Sequence, residues 1–527
     1  MKINLSVVLS LFLASLLLVS CGGKSGSNGS LPSVQTDKGV VVGTTTGTVN
    51  KFLGISYAAP PVGNLRWQAP QPATAWSTPF AATAFGAPCV QSVSFFGQAS
   101  TSEDCLHLNV FAPTGSGPFP VMVWIHGGAL ITGEASDYDP TALVNSGVIV
   151  VTVDYRLGVL GFLTHPALAA SNGSAGNYGL MDQQAALKWV QTNISGFGGD
   201  PKNVTLFGQS AGGLSTLSQI ASPLAAGLFQ KAIVESGSYS LQPLTLTAAE
   251  TAGQSFATNA GCSSQTAACL LALPVSTILA NASAIQSNGS QLPTVDLVLL
   301  PTTIASALTS GNFNKVPMIE GTNQHEYSVL SDTSIDVTLG GQMTASEYPN
   351  YVNGIFGSTI GAELIQYVYP LTSSVTPAWT FDDLMTDFLF SCNGRSIAQV
   401  MSTVVPVYTY EFADANAPMF FNVPPRTDGF GAYHAAELAY LFPGSSGTAY
   451  YGSPFTAAQT ALSTQMIGFW SQFAKTGNPN AAGSSAWPAY TVANDTYLTL
   501  APSAVATSTS FAAAHHCSIW LPSDVGF

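Results

Sequence analysis

A serine between two glycines is the first place where this chain could do chemistry. Ser210 lies between Gly208 and Gly212 in a Gly-x-Ser-x-Gly pattern, after an apolar β-branched run and before a helical one. A sharp turn from strand to helix holds such a serine in strained backbone geometry, and its neighbours two positions away must be small. The helix N-terminus also favours developing negative charge. The pattern predicts that Ser210 is a nucleophile for acyl transfer.

A serine becomes nucleophilic beside a base, and the chain has seven histidines. Where this serine turn occurs, the acid and then the histidine follow it along the chain, which excludes the three earlier histidines. His434 follows the apolar run 405–410, where the last catalytic loop is expected, whereas His325 falls where the acid belongs. His515 and His516 are interpreted as surface or packing residues. Position therefore favours His434 as the base.

Three carboxylates compete to orient that histidine: Glu320, Glu326 and Asp332, which all follow the apolar run 316–319. Glu320 is still at the end of this predicted strand, where its role would be to cap it. Glu326 lies farther along the loop, with room to reach the base, fix its tautomer and stabilise the imidazolium. The alternative for Glu326 is an exposed loop carboxylate without a catalytic role.

Small residues after the apolar run 119–125 predict an oxyanion hole. Gly128 and Ala129 follow that run, and small side chains allow backbone N–H groups to face a cleft. The N–H of Ala211 would complete the set of donors. Losing one such donor typically costs about 3–4 kcal/mol of transition-state stabilisation. His126 is interpreted as a brace for this loop.

The elements that must position these groups alternate between strand and helix. Apolar β-branched runs predict buried strands, and the segments 180–193 and 457–475 predict helices. This alternation predicts an α/β fold with a mostly parallel central sheet and helices on both faces. Ligands of such sheets bind at the carboxyl ends of the strands. The predicted strands are 119–125, 148–153, 204–207, 231–234, 316–319 and 405–410.

Composition narrows the classes of partner. Hydrophobic residues make up 46% of the 527, which is enough for a large core, whereas charged residues make up only 8%. The net charge is -14 and the few Lys and Arg form no run, so nucleic-acid binding, which needs a basic surface, is excluded. No metal cluster, Walker loop or dinucleotide fingerprint occurs in a convincing context. We expect neither a metal nor a cofactor.

The N-terminal region predicts export. Lys2 precedes an apolar run at 5–19 that is typical of a signal peptide and too short for a membrane span. The run leads into Leu-Val-Ser-Cys, which resembles the lipobox of bacterial lipoproteins, whose Cys is lipidated. We expect a signal peptide at 1–20, a lipidated Cys21 opening a flexible Gly/Ser tether at 21–33, and one domain at 34–527. The protein would be anchored to the cell envelope by lipid alone; the alternative is ordinary cleavage and secretion.

The cysteine count agrees with export. There are seven cysteines, an awkward number in an oxidising compartment, and lipidation of Cys21 leaves six that could form three disulfides. Arithmetic alone allows many connectivities. The simplest assignment joins the local pairs and leaves the last two cysteines for each other. The pairs are then Cys89–Cys105, Cys262–Cys269 and Cys392–Cys517.

Ordered blocks along the chain resemble the type-B carboxylesterase (cholinesterase/lipase) family of α/β-hydrolases. The likeness runs from about residue 34 to the C-terminus and is strongest at 176–213. The resemblance implies the same three disulfides and assigns Ser210 as nucleophile, Glu326 as acid and His434 as base. It maps the oxyanion donors to Gly128, Ala129 and Ala211. The blocks are 52–63, 103–109, 154–162, 176–213 and 473–479.

Two positions of the resemblance lie beside the triad. Ser236 matches a serine thought to support the triad from behind, with a turn residue after a strand as the equal alternative. Gln209 stands where cholinesterases have Glu. The loop between Cys89 and Cys105 is also shorter than theirs and offers Phe95 and Phe96 in place of a Trp. A choline ester is therefore a poor substrate expectation.

The function that follows is hydrolysis of carboxylic esters of short or medium acyl or aryl type through an acyl-enzyme. The substrate is a small-molecule ester, and the protein is expected to be a monomer or a weak oligomer. One alternative is a triacylglycerol lipase, which interfacial activation would distinguish. Another is a non-catalytic surface protein on the same scaffold. Such proteins typically lose the serine, so Ser210 argues against that reading.

Overall fold

Apolar runs rich in Val and Ile form the centre of this chain as buried strands. The computed structural model describes residues 31–520, apart from 95–96, 171–174, 284–291, 446–453, 482 and 484–485. The expected signal peptide, Cys21 and the tether up to residue 30 lie outside the described residues. Within them the fold begins with a strand at Ser33, and the described residues from Pro32 onward belong to one compact unit.

In the part of the chain that the structure describes, eleven strands form the central sheet, in the order β16-β15-β14-β13-β10-β9-β7-β8-β6-β4-β3. The seven strands from β15 to β8 run parallel, and the strands outside them pair antiparallel. The strands are β1 Ser33–Gln35, β2 Val40–Val42, β3 Thr44–Thr46, β4 Val49–Ser56, β5 Phe80–Ala81, β6 His107–Pro113, β7 Phe119–Ile125, β8 Ile149–Val153, β9 Gly199–Gln209, β10 Lys231–Glu235, β11 Leu244–Thr245, β12 Thr294–Val295, β13 Met318–Asn323, β14 Val407–Phe412, β15 Tyr497–Ala501 and β16 Ala504–Ser508.

Helices cover both faces of this sheet. Alternate residues of β7 belong to opposite apolar clusters: Val121 and Val123 pack on one face, Met122 and Trp124 on the other, and all four are fully buried. Burial on both faces explains why this strand reads as an unbroken apolar run. The expected mostly parallel sheet between helices is thus confirmed.

The helices alternate with the strands along the chain. The helix that follows β9 is the one that positions Ser210. The α-helices are Thr141–Asn145, Gly158–Phe162, Tyr178–Asn193, Ala211–Ala221, Leu246–Asn259, Ala267–Leu271, Val275–Ala280, Ile304–Thr309, Tyr327–Ser331, Val337–Leu339, Tyr348–Phe356, Ser358–Glu363, Pro377–Thr386, Cys392–Met401, Leu438–Leu441, Ala457–Thr476 and Phe511–Ala514. Within the described residues, no helix combines the length and the apolar character needed to cross a membrane.

Two strands begin two residues later than the sequence predicts. The predicted strands at 316–319 and 405–410 are observed as Met318–Asn323 and Val407–Phe412. Each begins immediately after a proline, Pro317 or Pro406, which has no N–H to donate to a neighbouring strand. The shift places Glu320 inside β13, and not at its end.

Three disulfides join the six cysteines of the described residues in the expected pairs, Cys89–Cys105, Cys262–Cys269 and Cys392–Cys517. The first two close short local loops. The third spans 125 residues and joins the start of the helix Cys392–Met401 to the turn after Phe511–Ala514.

Candidate active site

Ser210 lies at a strained turn between β9 and the helix Ala211–Ala221. Its backbone has φ 56° and ψ -122°, in the left-handed half of conformational space that only glycine adopts readily. A Cβ at Gly212 would lie 1.9 Å from the carbonyl oxygen of Ile125, and one at Gly208 would lie 2.5 Å from the backbone of Gly212. Both glycines are therefore required by close backbone approach. The turn places Ser210 at the carboxyl edge of the sheet.

The predicted oxyanion loop follows β7 at the same edge. Gly128 has φ 99°, and a Cβ there would lie 2.1 Å from the carbonyl oxygen of Thr132. Ala129 has φ 55°, so a non-glycine residue is held in the left-handed region. Gly128 and Ala129 line one cavity together with Ser210. Ala211 opens the helix, where backbone N–H groups have no partner inside the helix.

His126 braces this loop, as the sequence indicates. Its Nδ1–H donates to the carbonyl of Gly127 at 2.8 Å, and its ring stacks on Tyr155 with centroids 4.5 Å apart. The hydroxyl of Tyr155 donates to the His126 carbonyl at 2.8 Å. Burial lowers the pKa of His126 to about 4, so this imidazole is neutral at physiological pH.

His434 and Glu326 are in direct contact. Nδ1 of His434 lies 2.6 Å from Oε2 of Glu326, and the Asn323 backbone N–H donates to Oε1 at 2.7 Å. Glu326 is fully buried, which excludes the alternative of an exposed loop carboxylate. Because Nδ1–H donates to the carboxylate, Nε2 of His434 is left as the acceptor. The Gln209 side-chain amide reaches that Nε2 at 3.3 Å.

Backbone pairing between two loops produces this contact. The loop after β13 and the loop after β14 form an isolated parallel bridge in which the His325 N–H donates to the Ala432 carbonyl at 3.0 Å. The hydroxyl of Ser328 adds a hydrogen bond to the carbonyl of Phe430 at 2.7 Å. The Phe390 ring packs on His434, with centroids 5.1 Å apart. Glu326 and His434 are therefore positioned by main chain and not by side chains alone.

The competing candidates lie elsewhere. Glu320 is buried within β13, where Oε1 accepts a hydrogen bond from the Ser238 hydroxyl. Asp332 belongs to the helical segment after Ser331. His325 faces Trp379, with ring centroids 4.8 Å apart. Ser236 has φ 50° and a buried hydroxyl without a hydrogen-bond partner in the described part of the chain, so its supporting role stays a prediction.

Of the two expectations for His515, the packing position is confirmed and the surface position is wrong, because its buried ring packs on Phe511 with centroids 4.5 Å apart. Its Nδ1 lies 2.6 Å from Asp387 and its Nε2 lies 2.7 Å from Glu411, in a buried position. Hydrogen bonds to the two carboxylates outweigh burial and raise the pKa of His515 to about 10, so it is an imidazolium. His516 adds a contact to Asp387 at 3.1 Å. A lone sequence gives no signal for such a bridge, since its partners are 104 and 128 residues away.

Two further carboxylates behind the pair were not found from the sequence. Glu437 is fully buried and accepts a hydrogen bond from the Asn323 side-chain amide. Glu235, also fully buried, accepts one from the Trp470 indole at 2.7 Å. The second oxygen of each has no hydrogen-bond partner among the described residues. Burial raises the pKa of both carboxyls, and the charge of Glu235 raises that of Glu437 further. The sequence shows that Glu437 follows His434 closely, but it does not show that either carboxyl is buried.

Glu235→Gln is expected to flatten the pH dependence of stability. Burial raises the pKa of Glu235 from 4.5 to about 8, so the folded protein keeps a proton that the unfolded chain loses. The stability contributed by this group therefore falls as pH rises from about 4.5 to about 8. Gln keeps an acceptor for Trp470. In urea unfolding the parent should lose about 3 kcal/mol more stability than the variant between pH 5 and pH 8, which follows from pKa values of about 8 in the folded and 4.5 in the unfolded state.

The matched control for that measurement is Glu363→Gln, which makes the same change at an exposed glutamate. Its stability should follow the parent at every pH. Equal pH slopes for the parent and the Glu235 variant would show that Glu235 is ionised in the folded protein.

A cavity of about 460 Å³ opens above Ser210 and His434. Its walls are largely apolar, with Leu157, Leu160 and Phe421 among them. None of the described residues that line it is Asp, Glu, Lys or Arg. In the same described ranges, no group of three or more His, Cys, Asp or Glu side chains is arranged to hold a metal ion. The cavity offers space for a neutral organic molecule beside a serine hydroxyl.

Comparison with known proteins identifies the family of this chain. The model of the carboxylesterase family matches residues 30–520. The chain belongs to the carboxylesterase family. This confirms the resemblance noted from the sequence and makes the protein a carboxylic ester hydrolase with the α/β-hydrolase fold.

Individual relatives support the same family. The para-nitrobenzyl esterase of Bacillus subtilis (strain 168) is 38% identical over 478 residues, covering 87% of this chain and 92% of that protein. The human cocaine esterase is 34% identical over 519 residues, covering 92% and 90%. A solved structure of PNB esterase superposes with a TM-score of 0.76 at 34% identity, covering 91% of this esterase and 97% of that chain.

Proposed function

We propose that this esterase hydrolyses its substrates through an acyl-enzyme on Ser210, with His434 as general base and Glu326 as the orienting acid. The observation that carries the proposal is the 2.6 Å contact between Glu326 and Nδ1 of His434, at the edge of a cavity that also contains the strained Ser210. The carboxylate fixes the tautomer in which Nε2 accepts a proton. Its negative charge stabilises the imidazolium that forms.

In acylation, Oγ of Ser210 attacks the ester carbonyl carbon while its proton passes to Nε2 of His434. The carbonyl electrons move to oxygen, and backbone N–H groups stabilise this oxyanion. The bond to the alcohol oxygen then breaks, and the alcohol leaves with the proton from His434. Water repeats the sequence on the acyl-enzyme and releases the carboxylic acid. The proposed oxyanion donors are Gly128, Ala129 and Ala211.

The cavity favours neutral esters of short or medium acyl or aryl type. A charged substrate would enter walls without a counter-ion, which costs free energy. Gln209 contributes to this neutrality, because it places an amide where a carboxylate would attract cations. The names of two relatives agree with a small-molecule substrate, since para-nitrobenzyl esters and cocaine are small molecules.

Export remains part of the proposal. Disulfides persist in oxidising compartments, so the three bridges support a protein that leaves the cytoplasm. We propose attachment to the envelope through a lipid on Cys21. The esterase domain would then work as a monomer or a weak oligomer.

A panel of esters tests the substrate class. We expect kcat/KM for p-nitrophenyl acetate, butyrate and octanoate to exceed that for the palmitate, because the cavity volume is limited. Butyrylcholine should be at least about 10-fold poorer than a neutral butyrate of similar size, since its cation is desolvated without a partner. A preference for long-chain triacylglycerol emulsions, with a lag at the interface, would assign a lipase instead.

A further inference from the structure

The side-chain amide of Gln91 makes four hydrogen bonds beside the oxyanion loop. Gln91 belongs to the loop closed by the Cys89–Cys105 disulfide, and its buried side chain forms part of the wall of the substrate cavity. Oε1 accepts hydrogen bonds from the Thr132 hydroxyl at 2.6 Å and from the Gly133 N–H at 2.8 Å. Nε2 donates to the Gly133 carbonyl at 3.0 Å and to the Cys89 carbonyl at 3.2 Å. The amide therefore uses its full hydrogen-bonding capacity, mostly on the loop after β7.

The residues that Gln91 binds complete the turn that carries two of the proposed oxyanion donors. The N–H groups of Ile131 and Thr132 both donate to the Gly128 carbonyl at 3.0 Å, so residues 128–132 close on themselves. Gly128 and Ala129 have φ values of 99° and 55°. Strained backbone of this kind persists only where the surrounding structure holds it. The hydrogen bonds from Gln91 supply such a restraint at the far end of the turn.

The loop that carries Gln91 is itself fixed. The backbone of Gln91 pairs with that of Ser100 through two hydrogen bonds, of 3.0 and 2.9 Å. A Cβ on Gly97 would lie 2.2 Å from Oγ1 of Thr132 and 2.6 Å from Oε1 of Gln91, so this loop lies directly against the turn. The Gln91 amide therefore joins two chain segments whose positions are otherwise independent along the sequence.

We propose that Gln91 is a positioning residue for ester hydrolysis, whose amide holds residues 128–133 so that the N–H groups of Gly128 and Ala129 point at the oxyanion. The inference rests on the proposed function, which assigns these donors. The hydrogen bonds of Gln91 all go to protein groups, so it acts through the loop and not on the substrate. Its loss should raise the energy of the transition state, where charge is on oxygen, and leave binding of the neutral ester unchanged.

The test is Gln91→Met, which keeps the length of the side chain and removes all four hydrogen bonds. We expect kcat/KM for p-nitrophenyl butyrate to fall by about 10- to 100-fold, because the donors are misplaced but still present. Hexyl trifluoromethyl ketone forms a tetrahedral adduct with the Ser210 oxygen, and its inhibition should weaken by the same factor. The corresponding alcohol cannot form this adduct, so its Ki should stay within about twofold of the parent value. General destabilisation of the fold would not separate the ketone from the alcohol.

Thr132→Val is a milder variant of the same contact, because it removes the hydroxyl that donates to Oε1 and leaves the Gly133 N–H in place. It should lower kcat/KM and ketone affinity by about 3- to 10-fold. In the double variant with Gln91→Met the losses should not multiply, since both changes act on one contact.

Gln184→Met is the matched control. Gln184 is a buried glutamine whose amide donates to Gln219 and Ser222, and none of these three residues lines the cavity. Its variant makes the same chemical change in another buried amide network. We expect its kcat/KM to stay within about twofold of the parent.

Three results would overturn the inference: kcat/KM of Gln91→Met within twofold of the parent, equal weakening of ketone and alcohol, or losses that multiply in the double variant. Ser210→Ala measured in parallel separates this inference from the proposed function. Undiminished ketone binding by that variant would remove Ser210 as nucleophile. Loss of ketone binding by Ser210→Ala, with unchanged binding by Gln91→Met, would refute the role of Gln91 alone.

Discussion

Replacement of Ser210 by alanine is expected to lower kcat for p-nitrophenyl butyrate by about 10⁵-fold or more. The variant loses the atom that forms the acyl-enzyme, and its residual rate would come from the oxyanion donors and substrate binding alone. Alanine keeps the Cβ of serine and adds no atom that could disturb the turn. The far-ultraviolet circular dichroism and the unfolding temperature should therefore stay those of the parent. An organophosphate should label the parent irreversibly at Ser210 and leave the variant unlabelled.

Ser218→Ala provides the matched control on the same helix. Its hydroxyl is buried and donates to the Leu214 carbonyl at 2.8 Å, away from the cavity. Activity in this variant should be within about twofold of the parent. Peptide mapping that finds the organophosphate on a residue other than Ser210, or appreciable hydrolysis by the Ser210 variant, would refute the assignment.

Glu326→Gln is expected to lower kcat by about 10⁴-fold while the fold is kept. The Asn323 N–H needs an acceptor at Oε1, which the amide oxygen of Gln can supply, so the new NH₂ group faces Nδ1 of His434. Nδ1 must then be unprotonated, and the single ring proton moves to Nε2. A histidine in that tautomer cannot accept the proton of Ser210.

The control for this experiment is Glu320→Gln, which makes the same isosteric change at the rival carboxylate within β13. Glu320 accepts a hydrogen bond from Ser238 and none from His434, and burial raises the pKa of its carboxyl. Its variant should retain most of the activity. Exchange of the two results, with Glu320→Gln inactive and Glu326→Gln active, would reassign the acid.

The position of the site could be predicted because it depends on chain order and local sterics. The glycines around Ser210, the small residues after β7 and the direction of parallel strands all bring the functional groups to one edge of the sheet. The first residues of β13 and β14 were less predictable, because the apolar pattern begins before Pro317 and Pro406, which cannot donate a backbone hydrogen bond to a neighbouring strand. An apolar pattern alone does not show that a proline lacks the backbone N–H needed for strand pairing.

The residues behind Glu326 and His434 could not be predicted. Glu235 and Glu437 look like ordinary surface carboxylates in a one-dimensional reading, and only the folded chain buries them against Asn323 and Trp470. Roles of this kind depend on neighbours from other elements, which spacing along one sequence does not record.

The bridge between Cys392 and Cys517 has a consequence for how the protein is made. Cys392 is synthesised 125 residues before its partner and cannot form this bridge until Cys517 has been made. The other two bridges close within 16 and 7 residues and can form while the nascent chain is still being extended. A host that oxidises thiols early should therefore yield mispaired species at Cys392 first, and supplying a disulfide isomerase is the remedy for recombinant production.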